Sequence, residues 1–283
     1  QADVGLFTRI VREGRLGDSR RFLLAKPETL KVEDYAGDVT LSPDGRMLYV
    51  ADLFKKRVWV LNTASGVAVQ EIKTGVAPHR LLAHPDGKSL YVTSWAEGKL
   101  YQHRVEDGST RGVLRLGAHP GEMVFLPGRP PSDDPQPRWT DRLYVTAAHT
   151  NTLYTVGISE THGMELVEKV TVTLTPRKQA GMMPASLAMN AKKTEVYIAC
   201  AGANAVAVAS VDSMRTAVLG FLPAGLEPRA VRPVKGDGVA ILNTRGWGAR
   251  TGAKADKPHG AEQPAAANVQ ILPAFSLDDL AQY

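Results

Sequence analysis

The sequence predicts an all-β fold, a β-propeller of four-stranded blades. Three features carry this reading: a unit that recurs at about 40–50 residues, Pro-Asp-Gly turns set before runs of β-branched and aromatic residues, and a Gly-x-x-Pro signature leading into each unit. With 43% hydrophobic residues the 283-residue chain has ample apolar surface for a core, and 26 glycines and 18 prolines suit the many turns that short strands need.

The repeat is clearest in its first two copies. Ser42-Pro43-Asp44-Gly45-Arg46-Met47-Leu48-Tyr49-Val50-Ala51-Asp52 returns 42 residues later as His84-Pro85-Asp86-Gly87-Lys88-Ser89-Leu90-Tyr91-Val92-Thr93-Ser94. A third copy runs from Leu126-Pro127-Gly128 through a polar insert to Asp141-Arg142-Leu143-Tyr144-Val145-Thr146. A fourth reads Asn190 to Ala199, and a fifth, more worn, Lys235 to Asn243. The lead-in signatures are Gly75 to Pro78, Gly117 to Pro120, Gly181 to Pro184 and Gly225 to Pro228. In the turn, Pro presets φ and Gly accepts φ > 0. The Leu-Tyr-Val run then favours a strand. Val58–Leu61 and Val67–Ile72 supply the third and fourth strands of the first unit. A sandwich would not repeat this order in register.

The expected layout is one domain over residues 1–283: a degenerate or partial blade at 1–35, five recognisable blades over 36–275, and the start of a further element at 276–283. Inserts lengthen blade three (128–140) and blade five (246–267). The complete ring is expected to have six or seven blades.

Composition excludes several classes. The net charge of +5 (34 basic against 29 acidic residues) is spread along the chain and falls short of a nucleic-acid footprint. The lone Cys200 excludes an internal disulfide framework. No run approaches the roughly 18 apolar residues of a membrane helix. The opening QADVGLFTRI has neither a basic n-region nor an apolar h-region, so a cytoplasmic protein or a processed form is expected.

Propeller geometry brings the lead-in loops and the residues after each Leu-Tyr-Val run to one face, around the channel mouth. The second position after the lead-in Pro gives Arg80, Glu122, Ser186 and Ala230, with Asp38 in blade one; the position before it gives Gly37, His79, Gly121, Ala185 and Arg229. Asp52, Ser94, Trp95, His149, Cys200 and Arg245 follow the Leu-Tyr-Val runs. Candidate catalytic residues are His79, Glu122 and His149 as acid–base groups. Asp38, Arg80, Trp95, Arg229 and Arg245 are candidates for ligand binding, the arginines as anion holders. The competing reading is that these charges line a wet channel and pair with one another. No metal or cofactor is expected, since the seven histidines show neither His-x₃-His spacing nor a Cys-x₂-Cys partner, although a site assembled across blades stays open. Cys200 reads as a small buried residue. Trp59 reads as packing between blades, and Trp139 has no assigned role. The basic insert with Trp247, Arg250, Lys254, Lys257 and His259 reads as a solvated loop.

The strings YVTSWAEGKLY (Tyr91–Tyr101), YIACAGANAVAVASVD (Tyr197–Asp212), LPAGLEPRAV (Leu222–Val231) and ILNTRGWGARTGA (Ile241–Ala253) resemble the YVTN-repeat (YncE-like) β-propellers. The likeness spans about residues 36–275 and is strongest to the propeller preceding an alkaline-phosphatase-like phosphoesterase domain. That resemblance implies seven blades, a periplasmic or extracellular location and a companion phosphoesterase domain, whose metal ligands and nucleophile this sequence lacks. The expected function is a non-catalytic ligand-binding or interaction scaffold, with an unknown small molecule or protein as partner. The alternative is a lactonase-like hydrolase, because propellers of similar repeat type use His, Glu and Arg at the mouth. Single-stranded nucleic acid is a third reading, from Trp95, Trp247 and nearby arginines.

Overall fold

The computed structural model describes residues 5–12, 15–23, 35–128, 138–159, 161–174, 181–245 and 267–280. The chain divides into two compact units, Gln1–Pro120 with Thr161–Met164, and Gly121–Glu160 with Glu165–Tyr283.

The first unit opens with an antiparallel hairpin, β1 (Gly5–Arg12) and β2 (Arg15–Leu23). Blade one follows as β3 (Ala36–Leu41), β4 (Met47–Asp52), β5 (Arg57–Asn62) and β6 (Ala68–Lys73). Blade two is β7 (Pro78–Ala83), β8 (Ser89–Ser94), β9 (Lys99–Arg104) and β10 (Thr110–Arg115). Both of these blades are four-stranded antiparallel meanders in chain order.

In the second unit, blade three is β11 (Pro120–Leu126), β12 (Asp141–Ala147), β13 (Thr152–Ile158) and β14 (Met164–Thr171). Blade four is β15 (Pro184–Met189), β16 (Glu195–Cys200), β17 (Ala205–Ser210) and β18 (Ala217–Pro223). Blade five shows three strands among the described residues, β19 (Pro228–Val234), β20 (Gly238–Asn243) and β21 (Asn268–Leu272). Of the two predicted inserts, 129–137 and 246–266 lie outside the described residues. The segment expected to begin a further element forms one helical turn, α1 (Leu277–Leu280). Ser276 caps it: its backbone N–H donates to Asp279 Oδ2 at 2.7 Å, and Asp279 N–H donates to Ser276 Oγ at 3.3 Å. Leu280 packs on Gly220, where a side chain would leave no room.

The predicted Leu-Tyr-Val runs are the second strands, and they hold the core. Leu48–Val50, Leu90–Val92, Leu143–Val145 and Val196–Ile198 are all at most 2% exposed. They read as continuous apolar runs because both faces of the strand are covered. Full burial stabilises by about 1.5–3 kcal/mol per aliphatic side chain relative to exposure. Trp139 finds its role here, lying against Gly157, whose missing Cβ leaves room for the indole. Trp59 is half-buried under the Arg57 guanidinium, 4.1 Å from its ring centroid.

The lead-in signature has a backbone explanation. Ala77, His119, Met183 and Glu227, each just before a lead-in Pro, are left-handed at φ between 50° and 60°. This conformation costs a non-glycine residue about 1–2 kcal/mol. It turns the carbonyls of Ala77, Met183 and Glu227 onto the N–H groups of Trp95, Ala201 and Thr244, which follow the second strands. Just after the first residue of each first strand in blades one, two, four and five the ladder slips, at Gly37, His79, Ala185 and Arg229, so these are bulge residues.

Candidate functional site

The aligned positions after the lead-in Pro act first as ties between neighbouring blades. In the first unit, Asp38 Oδ2 accepts the Leu81 N–H at 2.8 Å, and its other oxygen lies 3.8 Å from Arg80 Nη1. Burial pushes the Asp38 carboxyl up, against the pull of the Leu81 N–H and Arg80. In the second unit, Ser186 Oγ accepts the equivalent Val231 N–H at 3.4 Å and lies 3.4 Å from Arg232 Nη1. An oxygen two positions after the lead-in thus receives an N–H from the first strand of the next blade.

His79 is half-buried beside Arg80, and burial, then the Arg80 charge, lower its pKa to about 4. Its ring also bonds the Pro120 backbone. Trp95, 41% exposed, stacks on His119 at 3.7 Å and 16°. In the second unit Glu122 is half-buried on β11, and His149 is exposed in a 3₁₀ turn, Ala148–Thr150.

Arg229 and Arg245 come together. With Met183, Ala201, Gly202, Asn204, Leu226 and Glu227 they line a cleft of about 330 Å³ between blades four and five, at the lead-in end. Both guanidiniums bind Glu227. Arg229 Nε donates to Oε1 at 3.1 Å and its Nη2 to the same oxygen, while Arg245 Nε lies 2.9 Å from Oε2. The Glu227 carboxyl is held below its usual range, by the Arg229 hydrogen bond first and then by both arginine charges. The left-handed backbone at Glu227 and the bulge at Arg229 aim these side chains at one point. Two cations against one anion leave a net positive wall. Each guanidinium carries more N–H donors than Glu227 engages, so the cleft can receive a carboxylate or phosphate group.

Glu227 lies in a lead-in loop but is missed by the aligned positions, which are taken after the lead-in Pro. Equally unread is a group at the opposite strand ends of blade two, where His84, Asp86 and His162 approach one another. Search by local spacing could not find it, since His162 stands far away in sequence.

No family model matches the sequence, and no curated protein matches it. Solved structures share its fold. A protein of unknown function from Desulfotomaculum acetoxidans superposes with a TM-score of 0.59 at 9% identity, over 76% of this chain and 65% of that one. A periplasmic gluconolactonase of Pseudomonas aeruginosa gives 0.59 at 21% identity, over 78% and 64%. Virginiamycin B lyase from Staphylococcus aureus gives 0.56 at 14% identity, over 80% and 67%. The chain therefore spans slightly less than two thirds of the first two structures, and the likeness establishes the β-propeller fold.

Proposed function

We propose that the protein is a non-catalytic binding propeller whose cleft between blades four and five takes a small ligand bearing a carboxylate or phosphate. The observation that carries this reading is the pair of guanidiniums, Arg229 and Arg245, set around the single carboxylate of Glu227 on one cleft wall. A base with a pKa of about 4, as at His79, takes up protons poorly at neutral pH, which favours binding over acid–base turnover at that residue. The YVTN-like strings add an exported location and a companion phosphoesterase domain to the proposal; the sequence of the complete precursor tests both.

Calorimetric titration of the whole chain with gluconate and with inorganic phosphate tests the cleft. Saturable binding is expected for at least one anion, weakening as salt rises and dropping about tenfold or more in Arg229→Gln and Arg245→Gln, the loss of one charge-assisted bond. Binding unchanged in both variants would remove the cleft from the proposal. A gluconolactone hydrolysis assay runs alongside: turnover that disappears in His79→Ala or Glu122→Gln would replace the binding reading with the lactonase-like one.

A further inference from the structure

We infer that His84, Asp86 and His162 form a binding site for a divalent first-row transition metal, with Zn²⁺ as the reference ion, at the end of blade two opposite its lead-in loop. His84 follows the last residue of β7, whereas Pro78 begins that strand. The three side chains offer one ligand atom each, all within 4.8 Å of one another. Asp86 Oδ1 lies 2.7 Å from His84 Nδ1, and Oδ2 lies 2.9 Å from His162 Nε2. Two imidazoles and one carboxylate are a borderline-soft donor set that suits zinc and its neighbours rather than calcium or magnesium. A tetrahedral ion with bonds of about 2.0–2.1 Å sets its donors roughly 3.3 Å apart, and the two carboxylate–imidazole pairs, at 2.7 and 2.9 Å, lie within about half an ångström of that separation. Three protein ligands leave a fourth position, which Asp86, the exposed member of the group, opens to solvent.

The surroundings fit ligation. Both histidines are 9% exposed, and their rings lie 4.7 Å apart at 47°. The far nitrogen of His162, Nδ1, is 2.8 Å from Ser89 Oγ, and Gln102 Nε2 donates to that hydroxyl at 3.2 Å. Ser89 and Gln102 are both fully buried. A buried polar pair behind one imidazole fixes its ring and leaves Nε2 to the ion, as outer partners of metal-bound histidines do. The Lys88 N–H donates to Asp86 Oδ1 at 2.9 Å, and Arg111 donates to the Thr161 carbonyl, so both turns are held in place.

Both histidines break the repeat. His84 stands where blade one has Ser42, whose hydroxyl donates to Asp44 Oδ1 at 2.5 Å and completes the turn. His162 stands where blades one and two have Gly66 and Gly108, and it holds the same left-handed backbone at φ 63°. A turn that favours glycine carries an imidazole instead, and that imidazole meets the other substituted turn.

These correspondences supply variants built to fold. His84→Ser restores the blade-one turn, and His162→Gly restores the glycine of blades one and two. Metal-stripped wild-type chain should compete with a chromophoric chelator for one Zn²⁺ per chain, and zinc should raise its melting temperature. His84→Ser and His162→Gly, checked for native circular dichroism, should each bind at least tenfold more weakly and lose the zinc-dependent shift. Ser89→Ala should fall between. If the wild type fails to compete, or if both variants bind as tightly as it does, the group is a hydrogen-bonded triad only and the inference is overturned.

Discussion

Glu97 shows how one side chain can gather a turn. Its Oε2 accepts from the Val76 N–H at 2.8 Å, Ser94 Oγ at 2.9 Å and the Tyr101 hydroxyl at 3.0 Å, while Lys99 Nζ reaches Oε1 at 3.1 Å. Burial works to raise its pKa, but the Val76 N–H and the three side chains outweigh that and bring it to about 2. A carboxyl depressed by folding stabilises the native state above its unfolded pKa of about 4.3 and loses that contribution as pH falls through the folded value. Denaturant melts of the wild type should therefore lose stability between about pH 4.5 and 2, and Glu97→Gln should flatten that part of the curve. Superimposable profiles would refute the assignment. Arg142 is a second case: buried beside the Tyr144 ring, it donates from Nη1 to the Tyr144 hydroxyl at 2.9 Å and to the Val211 carbonyl at 2.7 Å. It occupies the repeat position that Ser89 holds in blade two. One slot thus carries different polar chemistry in blades two and three.

Within a blade, the turns decide where function can sit. The left-handed residue before the lead-in Pro and the bulge after it recur as a backbone device. In blade five the residues at these two slots, Glu227 and Arg229, pair with each other on the cleft wall. The same end of blade four is held by close packing. A Cβ on Gly202 would overlap the Gly181 carbonyl, a backbone atom that cannot swing aside. Gly45 has open space around it and is constrained by its φ of 70° alone. Gly202→Ala should accordingly lower stability by about 1–3 kcal/mol or more. Gly45→Ala should cost about 1–2 kcal/mol through its backbone angle. Urea unfolding that ranked Gly45→Ala as the more damaging would contradict this account of the packing.

At the scale of the molecule, the buried second strands make stability a property of neighbouring blades, each strand covered on both faces. Cys200 reports on that burial. It is fully buried at the end of β16, and burial pushes its thiol up to about 12. The native chain should resist alkylation at neutral pH, with labelling that rises only as denaturant opens blade four. Rapid labelling of the native protein would show that this core is open. Much of the architecture was legible in the sequence, because strands, turns and repeat spacing are local: Pro-Asp-Gly and Leu-Tyr-Val act on their own few residues, and the same grammar returns in each blade. The lead-in end was legible as a face, and Arg229 and Arg245 were found on it. What lay beyond the sequence depends on where side chains from separate turns meet. Strand β21 pairs with β20 from beyond the insert, the 276–280 segment closes on Gly220 as a helical turn, and Glu227 gathers one arginine from β19 and one from the turn after β20. His84, Asp86 and His162 carry no spacing signature at all. Sequence determined the strands and the blades, since hydrogen-bonded ladders repeat locally; tertiary structure alone decided which charges and imidazoles face each other, since that is set by packing between turns far apart in the chain.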